Sequence, residues 1–319
     1  MTLVVQDLRV YYRSLAGDVK AVDGIDLDLA DGEIMGLAGE SGCGKSTLGK
    51  ALIKLDSRMR WVGGTVTLDG KPLPVWDDEA MDPHRLADVS LVPQYAMSAL
   101  NPTRKLGRMI HELLQARDID FSTLRHELDR RLRLVGLDAS VLDMYPIELS
   151  GGMKQRAVLV ISTLLDPSLL IADEITSALD VSTQKAVAEM LVEFRNREFI
   201  RSAIVITHDL SILAQIADSI VVMYAGKLAE KADVRTIVEE PRHPYTRMLI
   251  GALPEVGVRF AEHRLSGIRG RPPSLIEPPV GCRFRDRCPL ASARCAAEPA
   301  YRPCADGHLV ACWEEEAAA

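Results

Sequence analysis

The stretch GESGCGKST, Gly39 to Thr47, restricts what this chain can fold into more than any other segment. Its spacing is G-x-x-x-x-G-K-[ST]. Glycines let the backbone wrap closely around phosphate oxygens, with successive N–H groups turned inward. Lys45 adds a positive charge at the outer phosphates, and the Ser46 hydroxyl is placed to ligate Mg²⁺. Such a loop belongs between a strand and a helix, whose start contributes its positive dipole end. The flanks fit: EIMGLAG (33–39) is short and apolar, and STLGKALIKL (46–55) has helical spacing. Gly39, Glu40, Ser41, Gly42, Cys43, Gly44, Lys45, Ser46 and Thr47 are therefore read as a phosphate-binding set. Cys43 reads as a small filler, because backbone and lysine do the loop's work.

A second element completes the chemistry. LLIADE (169–174) is an apolar run ending in two acids. Ligand sites in open parallel sheets lie at the C-terminal ends of strands. Asp173 is placed to hold Mg²⁺, and Glu174 to polarise an attacking water, which is what hydrolysis of a nucleoside triphosphate requires. A strand ending in solvated acids is common in isolation; paired with the phosphate loop it points to hydrolysis.

The rest of the pattern sets the fold class. LLIAD (169–173), SAIVITH (202–208) and SIVVMYAG (219–226) are apolar strands alternating with helices, which predicts an α/β fold with a parallel sheet covered on both faces. Strands are expected over 2–10 and 25–38, a hairpin over GTVTLDGKPL with Asp69-Gly70 as its turn, and another strand over ADVSLVPQ. From about Ser98 to Val160 apolar residues recur at three- and four-residue intervals, so this part is helical. After HPYTRMLIGAL the pattern dissolves. IRGRPPSLIEPPVG reads as a linker or strap, and the tail EEEAAA as frayed.

Composition narrows the setting. The 319 residues carry a net charge of −7, which argues against a chain-wide nucleic-acid binder. The N-terminus lacks the pattern of a secretory leader, and no apolar run reaches the ~18 residues a membrane helix needs. The expectation is a soluble, cytoplasmic protein. There, clustered cysteines bind metal more often than they pair.

LSGGMKQR, Leu149 to Arg156, resembles the signature motif of ATP-binding cassette (ABC) proteins. Phosphate loop, signature, LLIADE, SALD and VITHD stand in that family's order over about residues 1–245. Read physically, Ser150, Gly151 and Gly152 before a long helix form an N-cap with free N–H groups, an anion site. The resemblance implies more: Ser150, Gly151, Gly152 and Met153 contact the γ-phosphate of ATP on a second cassette. It implies that Gln94 senses Mg²⁺ and the attacking water, that Asp180 lies on a loop crossing the cassette dimer, and that His208 contacts the γ-phosphate. It places Tyr12 on the adenine, with Tyr11 as the alternative, since adjacent strand residues face opposite ways. Met153 stands where the family usually has glutamine, and Ile175 where proline is common.

The implied fold is a P-loop NTPase (RecA-like) core with an antiparallel β subdomain. The core spans 1–97 and 159–245, a helical signature subdomain 98–158, and an irregular Cys-rich extension 246–319. The implied activity is ATP hydrolysis coupled to transport, with Ser46, Gln94 and Asp173 serving Mg²⁺ and with Glu174, His208 and Gln94 as the catalytic set.

Two further features narrow the branch. SALNP (98–102), YPIELSGGMKQR and PRHPYTRMLIGALP resemble the ATPase subunits of peptide and nickel importers. That group ends in a cysteine-rich segment. Five of the six cysteines lie between Gly281 and Cys312, and Cys282, Cys288, Cys295 and Cys312 match the group's pattern, associated there with a [4Fe–4S] cluster; Cys304 falls outside it. With few large apolar side chains this end has little core of its own, and a metal centre would supply stability. Zinc and disulfides remain the alternatives, although structural zinc usually uses tighter C-x2-C pairs.

The implied partners are a second, paralogous cassette, two transmembrane permease subunits and an extracytoplasmic substrate-binding protein, with the chain peripheral on the cytoplasmic face of a prokaryotic membrane and no nucleic acid. Peptides are the expected cargo, with nickel or oligosaccharides as alternatives. A soluble cassette ATPase acting on nucleic acid or ribosomes is the competing reading. It is disfavoured by the absence of sustained heptads, the single phosphate loop and the net charge.

Overall fold

The computed structural model describes residues 2–54, 56–94, 99–175, 180–252, 267–304 and 307–314, without the side chains of 181 and 182. Ser98 of the SALNP stretch, Ser177 to Leu179 of SALD, Leu253 and Pro254, and residues 315–319 of the tail lie outside these.

The chain opens with two long antiparallel strands, β1 (Leu3–Ser14) and β2 (Gly17–Leu29). β3 (Ile34–Ala38) follows and leads through the glycine loop into α1 (Lys45–Ala51). β4 (Met59–Leu68) and β5 (Lys71–Pro72) form the expected hairpin, in which Asp69 and Gly70 both take positive φ (50° and 75°), as a two-residue I′ turn demands. A short α2 (Asp78–Met81) precedes β6 (Val89–Val92). Then come the helices α3 (Leu106–Gln115), α4 (Phe121–Leu134) and α5 (Gly151–Thr163).

The second half alternates: β7 (Leu169–Asp173), α6 (Val181–Asn196), β8 (Ser202–Ile206), α7 (Leu210–Ile216), β9 (Ser219–Tyr224). β10 (Lys227–Asp233), α8 (Val234–Glu239), α9 (Pro244–Ile250) and the two-residue strands β11 (Arg302–Pro303) and β12 (Leu309–Val310) complete it. Among the described residues no helix is long and apolar enough to cross a membrane.

Two sheets result. One is antiparallel, ordered β2-β1-β4-β5; the other is ordered β11-β12-β10-β9-β3-β8-β7-β6, with β9, β3, β8, β7 and β6 parallel. The uninterrupted apolar strands are explained by burial on both faces. Along β8, Ala203 and Val205 enter one core and Ile204 and Ile206 the other; along β9, Ile220 and Val222 alternate with Val221 and Met223 in the same way. One core lies under the helices, and the other between the two sheets and around α1.

α5 carries the helical spacing through to Thr163, and its apolar side chains pack continuously into the helical-side core. The C-terminal segment joins the main body. β12 adds antiparallel to the edge strand β10, and Phe284 is buried in the main core against Tyr224 and Tyr245, with ring centroids 5.1 and 5.3 Å away. Sequence periodicity could not signal strands of two residues whose partner is distant.

Candidate functional site: the loop at the end of β3 and its neighbours

β3 ends between its parallel neighbours β8 and β9, so the glycine loop sits at the C-terminal edge of the sheet. Its backbone needs glycine at two points. At Gly39 (φ 143°) a Cβ would stand 2.2 Å from the Met223 carbonyl oxygen, and at Gly44 (φ 110°) 2.0 Å from that of Ala21. Lys45 is buried, and its Nζ donates to the carbonyls of Gly39 (2.7 Å) and Glu40 (3.0 Å), which fixes the ammonium within the loop. Cys43 is also buried, and burial pushes its thiol up, in keeping with a filler role. Gly42 is another positive-φ glycine, and Ser41 is exposed beside it.

Ser46 Oγ donates to Asp173 Oδ1 (2.9 Å). Asp173 is buried at the end of β7, and among the described residues its Oδ2 has no hydrogen-bond partner. Burial raises its pKa, against the Ser46 hydrogen bond and the nearby Lys50 and Lys45. An orphaned, buried carboxylate oxygen beside a serine hydroxyl is the donor set a hard cation takes.

Glu174 follows in a left-handed conformation (φ 49°), rare for a non-glycine residue and costly unless the surroundings enforce it. Its N–H donates to the Ile206 carbonyl (2.8 Å), which holds the turn. Its carboxylate receives Gln94 Nε2 at 2.6 Å and lies 3.7 Å from His208 Nδ1. Gln94, Glu174 and His208 therefore gather from three strand ends, with the His208 ring largely exposed.

The two tyrosines of β1 separate as expected of neighbours on a strand. Tyr11 is buried with its hydroxyl on Asp23, whereas half-buried Tyr12 turns its hydroxyl to the Thr47 side chain at the loop's end.

The signature serine caps α5: Ser150 Oγ accepts from the Met153 N–H (3.3 Å). Gly151 and Gly152 form the first turn, and Gly152 lies against Thr183. Asp180 caps α6, accepting from the N–H of Thr183 (3.0 Å) and its hydroxyl (2.7 Å). Ser150, Gly152, Arg156, Asp180, Thr183 and Met190 line a shared hollow of about 490 Å³. Gln155, a position that motif spacing does not single out, is buried and donates to the Ile175 carbonyl, tying the signature helix to the residue after Glu174. A buried glutamine cannot be told from an exposed one by spacing alone. An apolar groove of about 390 Å³ runs between β6 and the helices, lined by Ile53, Leu91, Pro93, Leu100, Met109 and Ile161.

At the C-terminus no disulfide joins any of the six cysteines. Cys282 is half-buried and its thiol is pushed up to about 11 by burial, with Cys295, Cys288 and Cys312 adding to the effect. Cys282 thus lies within electrostatic reach of the other three thiols. Among the described residues no group of three or more His, Cys, Asp or Glu side chains could hold a single metal ion.

Known proteins show which family the chain resembles. Residues 22–177 match the family model "ABC transporter", and 229–295 match "Oligopeptide/dipeptide transporter, C-terminal region". The chain is 39% identical to the dipeptide transport ATP-binding protein DppD of Bacillus subtilis (strain 168), over 98% of this chain and 95% of that protein. It is 37% identical to the oligopeptide transport ATP-binding protein OppD of Escherichia coli (strain K12), over 98% and 93%. In fold it resembles the dimeric structure of MJ0796, a bacterial ABC transporter cassette, with a TM-score of 0.64 at 22% identity over 73% of this chain and 99% of that one. The chain thus belongs to the ABC transporter family, as an ATPase subunit of its oligopeptide/dipeptide type.

Proposed function

We propose that this chain binds and hydrolyses ATP to energise the import of dipeptides or oligopeptides. The carrying observation is the pairing of Ser46 with Asp173, whose second oxygen is buried without a partner beside the phosphate loop. Ser46, Asp173 and Gln94 would hold Mg²⁺, which neutralises phosphate charge when bound. Lys45 and the loop N–H groups bind the phosphates, and Tyr12 holds the adenine. Glu174 orients the attacking water and draws its proton; Gln94 fixes the carboxylate, and His208 meets the γ-phosphate.

Ser150, Gly151, Gly152 and Met153 face the ATP of a second, paralogous cassette, with Asp180 at that interface. The hollow that Ser150, Gly152 and Asp180 share with Thr183 supports this. The apolar groove beyond Gln94 receives permease subunits, which keeps the chain on the cytoplasmic face of the membrane; a substrate-binding protein delivers the cargo. We also propose a core over 1–97 and 159–245, a signature subdomain over 98–158 and an extension over 246–319. In that extension Cys282, Cys288, Cys295 and Cys312 hold a [4Fe–4S] cluster. The wide spacing of these four cysteines, which lacks the tight C-x2-C pairs usual in structural zinc sites, supports the cluster over zinc.

The test is ATP hydrolysis by the chain assembled with its permeases in vesicles. Glu174→Gln should keep MgATP binding and slow turnover at least ~100-fold. Stimulation by nickel or oligosaccharide rather than by peptides would overturn the cargo. Anaerobic preparations should carry about four irons and matching sulfide, lost in Cys288→Ser; zinc without iron would refute the cluster.

A further inference from the structure

We propose that Arg287, carried by the cysteine-rich segment, is a positioning residue of the ATP site that sets nucleotide affinity by holding Glu40 of the phosphate loop. The inference rests on reading 39–47 as the triphosphate loop.

Arg287 sits 247 positions from Glu40, yet it grips both carboxylate oxygens, Nη1 to Oε2 at 2.6 Å and Nη2 to Oε1 at 2.9 Å. Its remaining donors are also used. Nε reaches the Arg269 carbonyl (2.8 Å), Nη1 the Tyr224 hydroxyl (3.1 Å) and Nη2 the Ile268 carbonyl (3.3 Å). The side chain is only 6% exposed. A planar fork with every donor engaged fixes its partner in direction as well as distance.

Glu40 in turn is a node. Its N–H donates to the Tyr245 hydroxyl (2.7 Å), and its carbonyl accepts from Lys45 Nζ (3.0 Å). The chain of contacts therefore runs from Arg287 through Glu40 to the ammonium that meets the phosphates. Arg287 is itself located by the core. It ends the single turn Arg285–Arg287, directly after Phe284, which packs between Tyr224, His243 and Tyr245.

Two physical consequences follow. The fork keeps the loop's first variable residue in place before ATP arrives. It also neutralises a carboxylate that would otherwise face an incoming polyanion in a partly buried site.

The test is steady-state ATP hydrolysis by the full-length chain with its partner cassette. In Arg287→Met the KM for ATP should rise about tenfold, with kcat at saturation within about twofold. Arg287→Lys keeps the charge without the fork and should fall between. Adding Glu40→Gln to Arg287→Met removes the stranded charge and should restore most of the affinity. A structural staple would show no such rescue. Unchanged KM in Arg287→Met, or a double variant no better than the single one, overturns the proposal. Should Arg287→Met not fold, an unchanged KM in Arg287→Lys overturns it equally. Lys45→Ala separates the readings: if it leaves ATP binding intact, the triphosphate loop itself is misassigned, whereas loss there with unchanged Arg287 variants sinks this inference alone.

Discussion

Single residues carry the chemistry, and several were legible because their roles depend on type and spacing. Lys45, Ser46, Asp173 and Glu174 fall where a phosphate loop and an acid-ended strand put them. What spacing could not show is that one Asp173 oxygen is left over. Asp173→Asn retains a Ser46 contact but removes the charge. Hydrolysis should fall at least ~100-fold, and the gain in ATP affinity on adding Mg²⁺ should vanish while metal-free binding persists. Equal losses with and without metal, read by titration of the nucleotide, would refute the ligand role. The tyrosine pair offers a second contrast. Tyr12→Ala should weaken nucleotide binding by about 1–3 kcal/mol, the usual worth of stacking a base. Tyr11→Phe loses the Asp23 hydrogen bond and should cost about 1 kcal/mol of stability with unchanged affinity. The reverse pattern in binding and melting data would swap the two assignments.

At the scale of elements, strands and helices were read from periodicity, and the failures lie at ends and contacts. α9 is an example. His243 looked like part of a motif; the structure makes it the helix cap, its Nδ1 accepting from the Tyr245 N–H (3.0 Å). The proton thus stays on Nε2, directed to the Ala311 carbonyl. Burial depresses its pKa from 6.5 to about 4, helped by Arg247 on the same helix and opposed by Glu230 of β10. Between those values the unfolded chain binds the proton that the folded chain refuses. This contribution to stability is complete above pH 6.5, lost as pH falls, and exhausted near pH 4, for a total of about 3 kcal/mol. Asparagine also accepts at a helix cap but does not titrate there. The melting temperature of the native chain should therefore fall more steeply than that of His243→Asn from pH 6.5 to 4.5. Parallel curves would show that the ring is not held neutral.

For the whole molecule, the alternation of apolar strands with helices fixes a doubly covered sheet, and the order of motifs fixes which strands surround the loop. The attachment of the C-terminal segment was not legible, because it is made by charges distant in sequence. Its low apolar content points to a metal centre as one source of stability, and contacts with the core are a second. Arg283 meets Asp23, Arg287 meets Glu40, and His308 meets Glu230 at 2.6 Å. Glu230 is fully buried. Burial alone would raise its pKa, but its hydrogen bonds with His308 and from the Arg242 and His243 N–H groups hold the carboxylate below the ordinary range, so it stays ionised and needs those partners. Removing residues 282–319 strips the partners from all three carboxylates and unpairs the edge of β10. Breaking one buried pair costs about 3–5 kcal/mol, so the truncated chain should lose cooperative unfolding altogether. Replacing Cys282, Cys288, Cys295 and Cys312 by serine leaves every one of these pairs in place. That variant should remain folded at a lower melting temperature. If calorimetry instead finds it as disrupted as the truncation, the segment is held by what the cysteines bind rather than by its ion pairs with the core.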